Sequence, residues 1–173
     1  MAKIGIIGAG SWGTALSLLC ANNGHQVTVW SIIEEEIAML REKRQHETKL
    51  PGVTLPACIG FTTNLKEAMD EKDVLVLAVP SPYTRSTSHS MREFCRDGQI
   101  VLNVAKGVEE HTLKTLSQII EEELPKAEVA VLSGPSHAEE VGRGLPTTCV
   151  VSTRRKTTAE YLQEIFMSPV FRV

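Results

Sequence analysis

Short apolar runs alternate with amphipathic stretches along the whole chain. The apolar runs are brief and rich in β-branched residues, a pattern typical of strands that are covered on both faces. We predict strands over residues 4–7, 27–30, 59–62, 74–79, 100–104, 129–132 and 149–152. Strand–helix–strand units need crossover connections, so the pattern predicts an α/β fold with a mainly parallel, doubly wound sheet and helices on both faces.

Helical periodicity fills the intervals between these runs. The predicted inward positions are Ile33, Ile37 and Leu40 in one stretch, Leu113, Leu116, Ile120 and Leu124 in a second, and Leu162, Ile165 and Phe166 in a third over 158–167. The long segment 45–58 contains two prolines and a glycine, which favours a loop, and loops of this length are often functional. No linker or repeat divides the chain, so we expect one domain over residues 1–173.

A glycine-rich turn follows the first predicted strand. Gly8, Gly10 and Gly13 form a G-x-G-x-x-G pattern between the strand 4–7 and an amphipathic helix. In such a turn the first glycine permits the tight bend, the second lets the backbone approach a pyrophosphate, and the third allows close helix–strand packing. The helix N-terminus then faces the anion. The context predicts a Rossmann-type dinucleotide-binding fold.

The residues after the second strand leave the ribose contact open. An acid at the end of that strand often binds the adenosine ribose, but here the chain continues Ser31-Ile32-Ile33 before Glu34. Ser31 and Glu34 also match the S-x-x-E capping box, which we favour over ribose recognition. No arginine stands beside Ile32 to pair with a 2′-phosphate, so the choice between NAD and NADP stays open.

Composition narrows the classes of function. The chain of 173 residues has a net charge of −3, with 42% hydrophobic and 23% charged residues, which argues against disorder and against a nucleic-acid partner. No apolar run approaches the length of a membrane span, and the N-terminus lacks a signal-peptide pattern, so we expect a cytoplasmic protein without membrane insertion. Cys20, Cys58, Cys95 and Cys149 show no metal-ligand spacing. We expect no metal, and reduced thiols that are mostly buried.

Five segments together resemble the bacterial NAD(P)-dependent glycerol-3-phosphate dehydrogenases. In chain order they are Gly8–Ala15, Ala78–Ser81, Asn103–Glu109, Leu132–Val141 and Ser168–Val173. The resemblance extends from the first strand to the last residue. It implies an oxidoreductase that transfers a hydride between NAD(P)H and the pair dihydroxyacetone phosphate/sn-glycerol 3-phosphate, a reaction that feeds glycerophospholipid synthesis.

The resemblance also implies roles for particular residues. By it, the cofactor contacts Ser11, Trp12, Lys106 and Ala138 beside Gly8, Gly10 and Gly13, and the substrate contacts Lys106, Gly134 and Ser136. Lys106 follows a predicted strand directly, where ligands gather in doubly wound sheets, and a lysine there can donate to a carbonyl oxygen as it gains negative charge. We therefore expect Lys106 to be catalytic. Ser136 has a second interpretation as a helix N-cap, and Tyr83 is either a wall of the cofactor site or a packing aromatic.

Two departures from the family pattern matter. Many members carry a polar or basic side chain where this chain has Ile32 and Ile33. In the family a helical C-terminal domain, absent from this chain, follows the segment that resembles Phe171–Val173, and it supplies a second lysine and most of the grip on the substrate phosphate. We expect this chain alone to turn over poorly, the full-length form to be a homodimer, and Val170, Phe171 and Val173 to include exposed apolar surface. The alternatives are a non-catalytic dinucleotide sensor and a reductase for another small keto-compound.

Overall fold

Strands and helices alternate along the chain, as the sequence predicts. The computed structural model describes residues 1–173. The strands are β1 (Lys3–Ile7), β2 (Gln26–Trp30), β3 (Gly60–Thr62), β4 (Val74–Leu77), β5 (Ile100–Asn103), β6 (Glu128–Ser133), β7 (Thr147–Thr148), β8 (Val150–Thr153) and β9 (Phe171–Arg172). The helices are α1 (Ser11–Asn22), α2 (Glu34–Lys43), α3 (Leu65–Met69), α4 (Thr84–Met91), α5 (Leu116–Glu123), α6 (Ala138–Gly142) and α7 (Lys156–Phe166), with a 3₁₀ turn at Ser81–Tyr83.

The main sheet has seven strands in the order β3-β2-β1-β4-β5-β6-β8. All neighbouring pairs from β3 to β6 are parallel, and β8 joins the edge antiparallel to β6. The chain winds outward from β1 in one direction and then, from β4, in the other. The carboxyl ends of β1 and β4 are therefore the topological switch point, where doubly wound sheets bind their ligands. The predicted fold class is confirmed.

Neighbouring residues of β1 point into two different core layers. Ile6 belongs to a cluster with Leu16 of α1 and Phe166 of α7, on one face of the sheet. Ile7 belongs to a second cluster with Met91 of α4 and Ile120 of α5, on the other face. Helices thus cover both faces, and this burial explains why the central strands read as continuous apolar runs.

The edge strand β8 differs from the prediction. The pattern placed a strand covered on both faces at 149–152, but the residues of β8 alternate between exposed and partly buried positions, and Val150 is 67% exposed. An antiparallel edge strand packs only one face, so its apolar character misled the pattern. The two-residue strands β7 and β9, which pair with each other, are too short to produce a pattern and were missed.

Three apolar positions were assigned wrongly. Leu113 is 74% exposed with a φ of 57°, because the helix begins later, where Thr115 and Gln118 form a capping box. Ile33 is the N-cap of α2 and is 45% exposed, whereas Ile37 and Leu40 are buried as predicted. Phe171, expected among exposed residues, is 2% exposed, and Val170 beside it is 38% exposed.

The predicted irregular segment 45–58 is confirmed as a loop, and it packs against the core. Leu50, Val53 and Leu55 are buried in the cluster that includes α1. The four cysteines are free; Cys20 and Cys149 are buried, but Cys58 is exposed and Cys95 is half-buried, so the expectation of mostly buried thiols holds for two of them. No helix combines the length and apolar character that a bilayer crossing requires.

Candidate dinucleotide and substrate site

The amino end of α1 opens onto the switch point. Gly10 is the residue before the helix, with φ −64° and ψ 179°, and no side chain caps the helix there. The first N–H groups of α1 therefore lack a side-chain partner. A Cβ added at Gly10 would meet no heavy atom within 4 Å. Neither packing nor backbone conformation requires glycine at this position, and the space beside the helix N–H groups is open there.

Gly8 and Gly13 are required by the protein's own packing. Gly8 has a φ of 120°, and a Cβ on it would lie 2.8 Å from the carbonyl of Ala78 in the turn after β4. A Cβ on Gly13 would lie 2.0 Å from the carbonyl oxygen of Gly8. These contacts bring the turn after β1, the start of α1 and the turn after β4 together, and they shape the floor of the crevice.

Two adjoining cavities open at this floor and share Gly10 and the residues Ala78–Pro80. The larger, of about 600 Å³, lies towards β2 and α4 and is lined by Gly8, Ala9, Gly10, Trp30, Ser31, Ile32, Ile33, Glu36, Lys49, Ala78, Val79, Pro80, Tyr83, Ser86, Thr87 and Ser90. The smaller, of about 410 Å³, lies towards β5 and α6 and is lined by Gly10, Ser11, Trp12, Ala78, Val79, Pro80, Ser81, Val104, Ala105, Lys106, Ser136, His137, Ala138 and Glu139. Together the two cavities form an extended crevice across the carboxyl ends of the strands.

An acid does lie in the larger cavity, although not the one that the sequence suggested. The predicted capping box of Ser31 with Glu34 is wrong, because Ile33 is the N-cap of α2 and has no side-chain cap. Ser31 Oγ instead accepts from the Ile33 N–H at 3.1 Å and donates to Glu36 Oε2 at 2.7 Å. Glu36 thus stands in the first turn of α2, the helix that follows β2, at a place suited to a ribose hydroxyl.

Glu36 is the centre of a small charged group. Its carboxylate also accepts a hydrogen bond from Lys49 Nζ, and His46 Nε2 lies 3.6 Å from Oε1. Burial alone would raise the pKa of Glu36, but the hydrogen bonds from Lys49 and Ser31 and the charge of Lys49 together hold it below its ordinary value. Burial lowers the pKa of His46, and the nearby Glu36 only partly offsets this. The cavity therefore presents an ionised carboxylate that is hydrogen-bonded to the Lys49 side chain.

The rim of the larger cavity is apolar. Tyr83 is 60% exposed and Ile32 is 81% exposed, and both line the cavity. A packing aromatic would be buried, so the structure excludes that interpretation of Tyr83. The flat ring of an adenine base would gain apolar contacts between these side chains.

Lys106 and the turn after β6 meet across the smaller cavity. The Lys106 ammonium donates to the Gly134 carbonyl at 3.0 Å and lies 3.5 Å from that of Ser136. Lys106 follows β5, and the buried Asn103 side chain shapes the turn between them by bonding both the N–H and the carbonyl of Ala105. The lysine is thus placed beside the segment that the sequence assigned to the substrate.

The turn after β6 is tightly packed beneath this contact. A Cβ on Gly134 would lie 2.7 Å from the Thr148 carbonyl and 2.9 Å from Cys149 Cα, so only glycine fits. Ser136 Oγ donates to the Gly134 carbonyl at 3.3 Å. The N-cap interpretation of Ser136 is wrong, since α6 begins after His137.

The structure divides the predicted residues into two sets. Gly10, Ser11, Trp12, Lys106, Ser136 and Ala138 line one cavity together. Gly8 lines the larger cavity, while Gly13 and Gly134 lie behind the walls and shape them. Sequence reasoning missed Glu36 and Lys49; the only signal for Glu36 was its place among the three acids in the first turn of α2.

Comparison with known proteins identifies the family of the chain. Residues 3–159 match a family model described as the NAD-dependent glycerol-3-phosphate dehydrogenase N-terminus. The chain belongs to this family.

Relatives agree with that assignment. The chain is 60% identical over 173 residues to a glycerol-3-phosphate dehydrogenase (NAD(P)+) of Agathobacter rectalis, and 58% identical over 175 residues to one of Fusobacterium nucleatum, covering 100% of this chain and 52% of each relative. It is similar to the crystal structure of a glycerol-3-phosphate dehydrogenase from Coxiella burnetii, with a TM-score of 0.94 and 28% identity over 99% of this chain and 53% of that one. The chain spans about half the length of the curated relatives it matches.

The residues present suit the cofactor of the glycerol-3-phosphate dehydrogenase family, NAD(P). The open space at Gly10 lies against uncapped helix N–H groups, as a pyrophosphate needs. Glu36 and Lys49 offer one group of each charge in the adenosine direction. Lys106 stands in the other direction, where the nicotinamide and substrate would meet.

Proposed function

We propose that residues 1–173 form the cofactor-binding domain of an enzyme that interconverts dihydroxyacetone phosphate and sn-glycerol 3-phosphate. The observation that carries the proposal is the Lys106 ammonium, held 3.0 Å from the Gly134 carbonyl in a cavity that begins at the uncapped end of α1. When bound, NAD(P)H supplies the hydride for the reduction and NAD(P)+ accepts it in reverse.

The chain's own residues perform the binding and orienting steps. The N–H groups at the start of α1 bind the pyrophosphate beside Gly10, and Ser11 and Trp12 contact the cofactor next to it. Ala138, at the start of α6, lines the same cavity and contacts the cofactor there, because its small side chain leaves room. These placements bring the reacting carbon and the nicotinamide into one cavity, which lowers the entropic part of the barrier.

Lys106 contacts the reacting oxygen of the substrate and stabilises the charge that develops on it. Its ammonium donates a hydrogen bond to the substrate oxygen, where negative charge develops as the carbonyl is reduced. The Gly134 carbonyl keeps this ammonium in place, and the Ser136 hydroxyl binds a polar group of the substrate nearby. The phosphate of the substrate adds binding energy that orients the carbonyl. The resemblance assigns most of the phosphate grip and a second lysine to the C-terminal domain, so this chain alone should turn over poorly.

The test compares Lys106→Ala with a control in the complete gene product that contains these residues. Lys126→Ala is the control, since Lys126 lies away from the cavities and pairs with Asp97. We expect Lys106→Ala to lower kcat/KM for dihydroxyacetone phosphate by roughly 100-fold or more, with NADH affinity within threefold of the parent. Oxidation of NADH or NADPH, followed by absorbance, measures turnover, and calorimetry measures affinity.

Other results would contradict the proposal. Full turnover in Lys106→Ala would exclude the catalytic role. Cofactor binding without turnover of any keto-compound would favour the dinucleotide sensor, and turnover of a different keto-compound would favour the alternative reductase.

The assembly and location expected from the sequence belong to the same proposal. The family resemblance supports a homodimer and a cytoplasmic location. Sedimentation of the complete gene product tests the first and cell fractionation tests the second.

A further inference from the structure

The densest group of ion pairs in the protein lies between α4, α5 and the loop that joins β5 to α5 and carries Lys106. Arg85 of α4 is at its centre. Arg85 donates to Glu109 in a bidentate pair, Nε to Oε1 at 2.6 Å and Nη2 to Oε2 at 2.8 Å. It also donates to Glu122 and Glu123 of α5 at 3.0 Å. The proposed function leaves this group without a role.

Glu109 belongs to the loop 104–115, which carries Lys106. Its backbone closes the turn at the far end of this loop: the Glu109 N–H donates to the Lys114 carbonyl at 2.9 Å, and the Leu113 N–H donates to the Glu109 carbonyl at 2.9 Å. Its side chain binds Arg85. The loop is therefore tied on one side of Lys106 by the Asn103 amide and on the other by the Glu109 carboxylate.

Arg85 connects this loop to the wall of the cofactor cavity. Tyr83, Ser86 and Thr87 line the larger cavity from the same short stretch of chain. Between Lys106 and Glu109, Gly107 has a φ of 126°, and a Cβ on it would lie 3.3 Å from Ser81 Oγ. The loop thus passes close over the turn after β4 before it reaches Arg85. A displacement of Glu109 would shift the backbone that carries Lys106.

We propose that Arg85 is a positioning residue for Lys106, acting through its bidentate ion pair with Glu109. The proposal rests on the role given to Lys106 in the proposed function. A bidentate guanidinium–carboxylate pair fixes both direction and distance, which a lysine at position 85 would not do.

Two further observations support this role. The hydrogen bonds from Arg85 and then Thr112 lower the pKa of Glu109 to about 2, so the pair stays ionised throughout the working pH range. Arg85 and Glu109 are also partly exposed, with side-chain exposures of 34% and 21%. A bidentate pair within a charge network is the case in which a surface ion pair can affect stability, so the Tm of each variant is compared with that of the parent. A loss of turnover at an unchanged Tm is the result that the positioning role predicts.

The experiment uses Arg85→Lys and Glu109→Gln in the complete gene product, with Arg92→Lys as the matched control. Arg92 is the C-cap of α4 and binds Glu123 of α5, a partner that it shares with Arg85, with the same change of chemistry and no contact with the loop. A misplacement of about 1 Å costs on the order of 100-fold in rate. We expect Arg85→Lys and Glu109→Gln to lower kcat by roughly 10- to 100-fold, with the KM for NADH within twofold, and Arg92→Lys to keep kcat within twofold.

Lys106→Ala, measured in parallel, distinguishes a failure of the proposed function from a failure of the positioning role. In its background we expect Glu109→Gln to change the residual rate by less than twofold, since the ion pair acts through Lys106. Normal turnover in Lys106→Ala would defeat the proposed function. Impaired turnover in Lys106→Ala, with normal turnover in Arg85→Lys and Glu109→Gln, would overturn the positioning role alone. Equal losses in Arg92→Lys and Arg85→Lys would also overturn it, because they would indicate a general helix-packing effect.

A second readout does not depend on turnover. Trypsin cleaves after exposed lysines in mobile loops, and Lys106 lies in the tied loop. We expect Glu109→Gln to increase the rate of cleavage after Lys106 several-fold, and Arg92→Lys to leave it unchanged. An unchanged cleavage rate in Glu109→Gln would show that the ion pair does not hold the loop.

Discussion

Replacement of Gly10 separates ligand binding from folding more cleanly than any other change in the glycine turn. A Cβ at Gly10 meets no heavy atom within 4 Å, and its φ of −64° and ψ of 179° are open to any residue. Alanine at an N-cap is less favourable than glycine by about 0.5–1 kcal/mol. Loss of glycine's freedom in the unfolded chain offsets this by about 0.4–1 kcal/mol. The free energy of unfolding of Gly10→Ala should therefore change by roughly 0.5 kcal/mol or less.

The effect of Gly10→Val on binding should be far larger. Its side chain fills the space through which a pyrophosphate would reach the N–H groups of α1. Loss of about two charge-assisted hydrogen bonds, at roughly 1.5–3 kcal/mol each, removes about 3–6 kcal/mol. Since 1.4 kcal/mol is about tenfold in affinity, the dissociation constants for NADH and NADPH should rise by roughly 100-fold or more.

Gly13→Ala is the contrasting variant in the same turn. Its Cβ would lie 2.0 Å from the Gly8 carbonyl oxygen, so the backbone must move. Overpacking of this kind costs about 1–3 kcal/mol, which lowers the Tm by roughly 3–10 °C for a chain of this size. Calorimetric titration with NADH, paired with thermal unfolding, measures both effects. The reasoning is refuted if Gly10→Val binds NADH within threefold of the parent, or if Gly10→Ala loses as much stability as Gly13→Ala.

Three other changes test the remaining parts of the site. Gly134→Ala should lower the Tm by roughly 3–10 °C, because its Cβ would lie 2.7 Å from the Thr148 carbonyl; a Tm within 1 °C of the parent would contradict this. Glu36→Gln should raise the ratio of NADPH to NADH affinity by about tenfold, since one negative charge beside a 2′-phosphate is removed; competition binding measures the ratio, and an unchanged ratio would place the ribose elsewhere. His46→Gln should flatten the loss of stability on acidification. The unfolded imidazole takes up a proton near its ordinary pKa of 6.5 and the buried one only at lower pH, so falling pH favours the unfolded state. Urea unfolding at pH 7.5 and 5.5 measures this slope, and an equal slope in both proteins would exclude His46 as its source.

The central strands were predictable because their burial is uniform. Ile4, Ile6 and Ile7 of β1 are all fully buried, since helices cover both faces of the sheet, so the apolar run directly reports the strand. The glycine turn was predictable for a similar reason. At Gly8 and Gly13 the backbone leaves no room for a side chain, and this requirement is visible in the sequence as glycine.

The starts of α2 and α5 were predicted wrongly because, at each, two local sequence patterns indicated different first residues. Ser31 and Glu34 have capping-box spacing, but the Ser31 hydroxyl bonds the Ile33 N–H and Glu36, so the helix begins two residues later than the motif suggested. The Leu113 assignment followed helical periodicity and overlooked Thr115 and Gln118, whose capping box sets the true start of α5. In both cases the hydrogen bonds of a helix N-terminus determined the boundary, and the apolar spacing did not.

Lys49 could not have been found from its position in the sequence. It lies in the irregular segment 45–58, and its ammonium reaches Glu36 only because Leu50, Val53 and Leu55 pack that segment against the core. Such packing depends on contacts between distant parts of the chain, which a single sequence does not display. The position of Lys49 at the larger cavity therefore depends on the tertiary fold.

The site thus contains residues with two different constraints. Gly13 and Gly134 stand where a Cβ would meet backbone atoms within 3 Å, so the fold itself selects them. Gly10, Lys106 and Glu109 meet no such requirement: Gly10 faces open space, Lys106 is exposed and Glu109 is partly exposed, so folding leaves their identity free. Variants at Gly13 and Gly134 should therefore lose stability and ligand binding together. Variants at Gly10, Lys106 and Glu109 should lose binding or turnover while the fold is retained, and the ratio of these two losses, measured on one protein preparation, is the sharpest test of the assigned site.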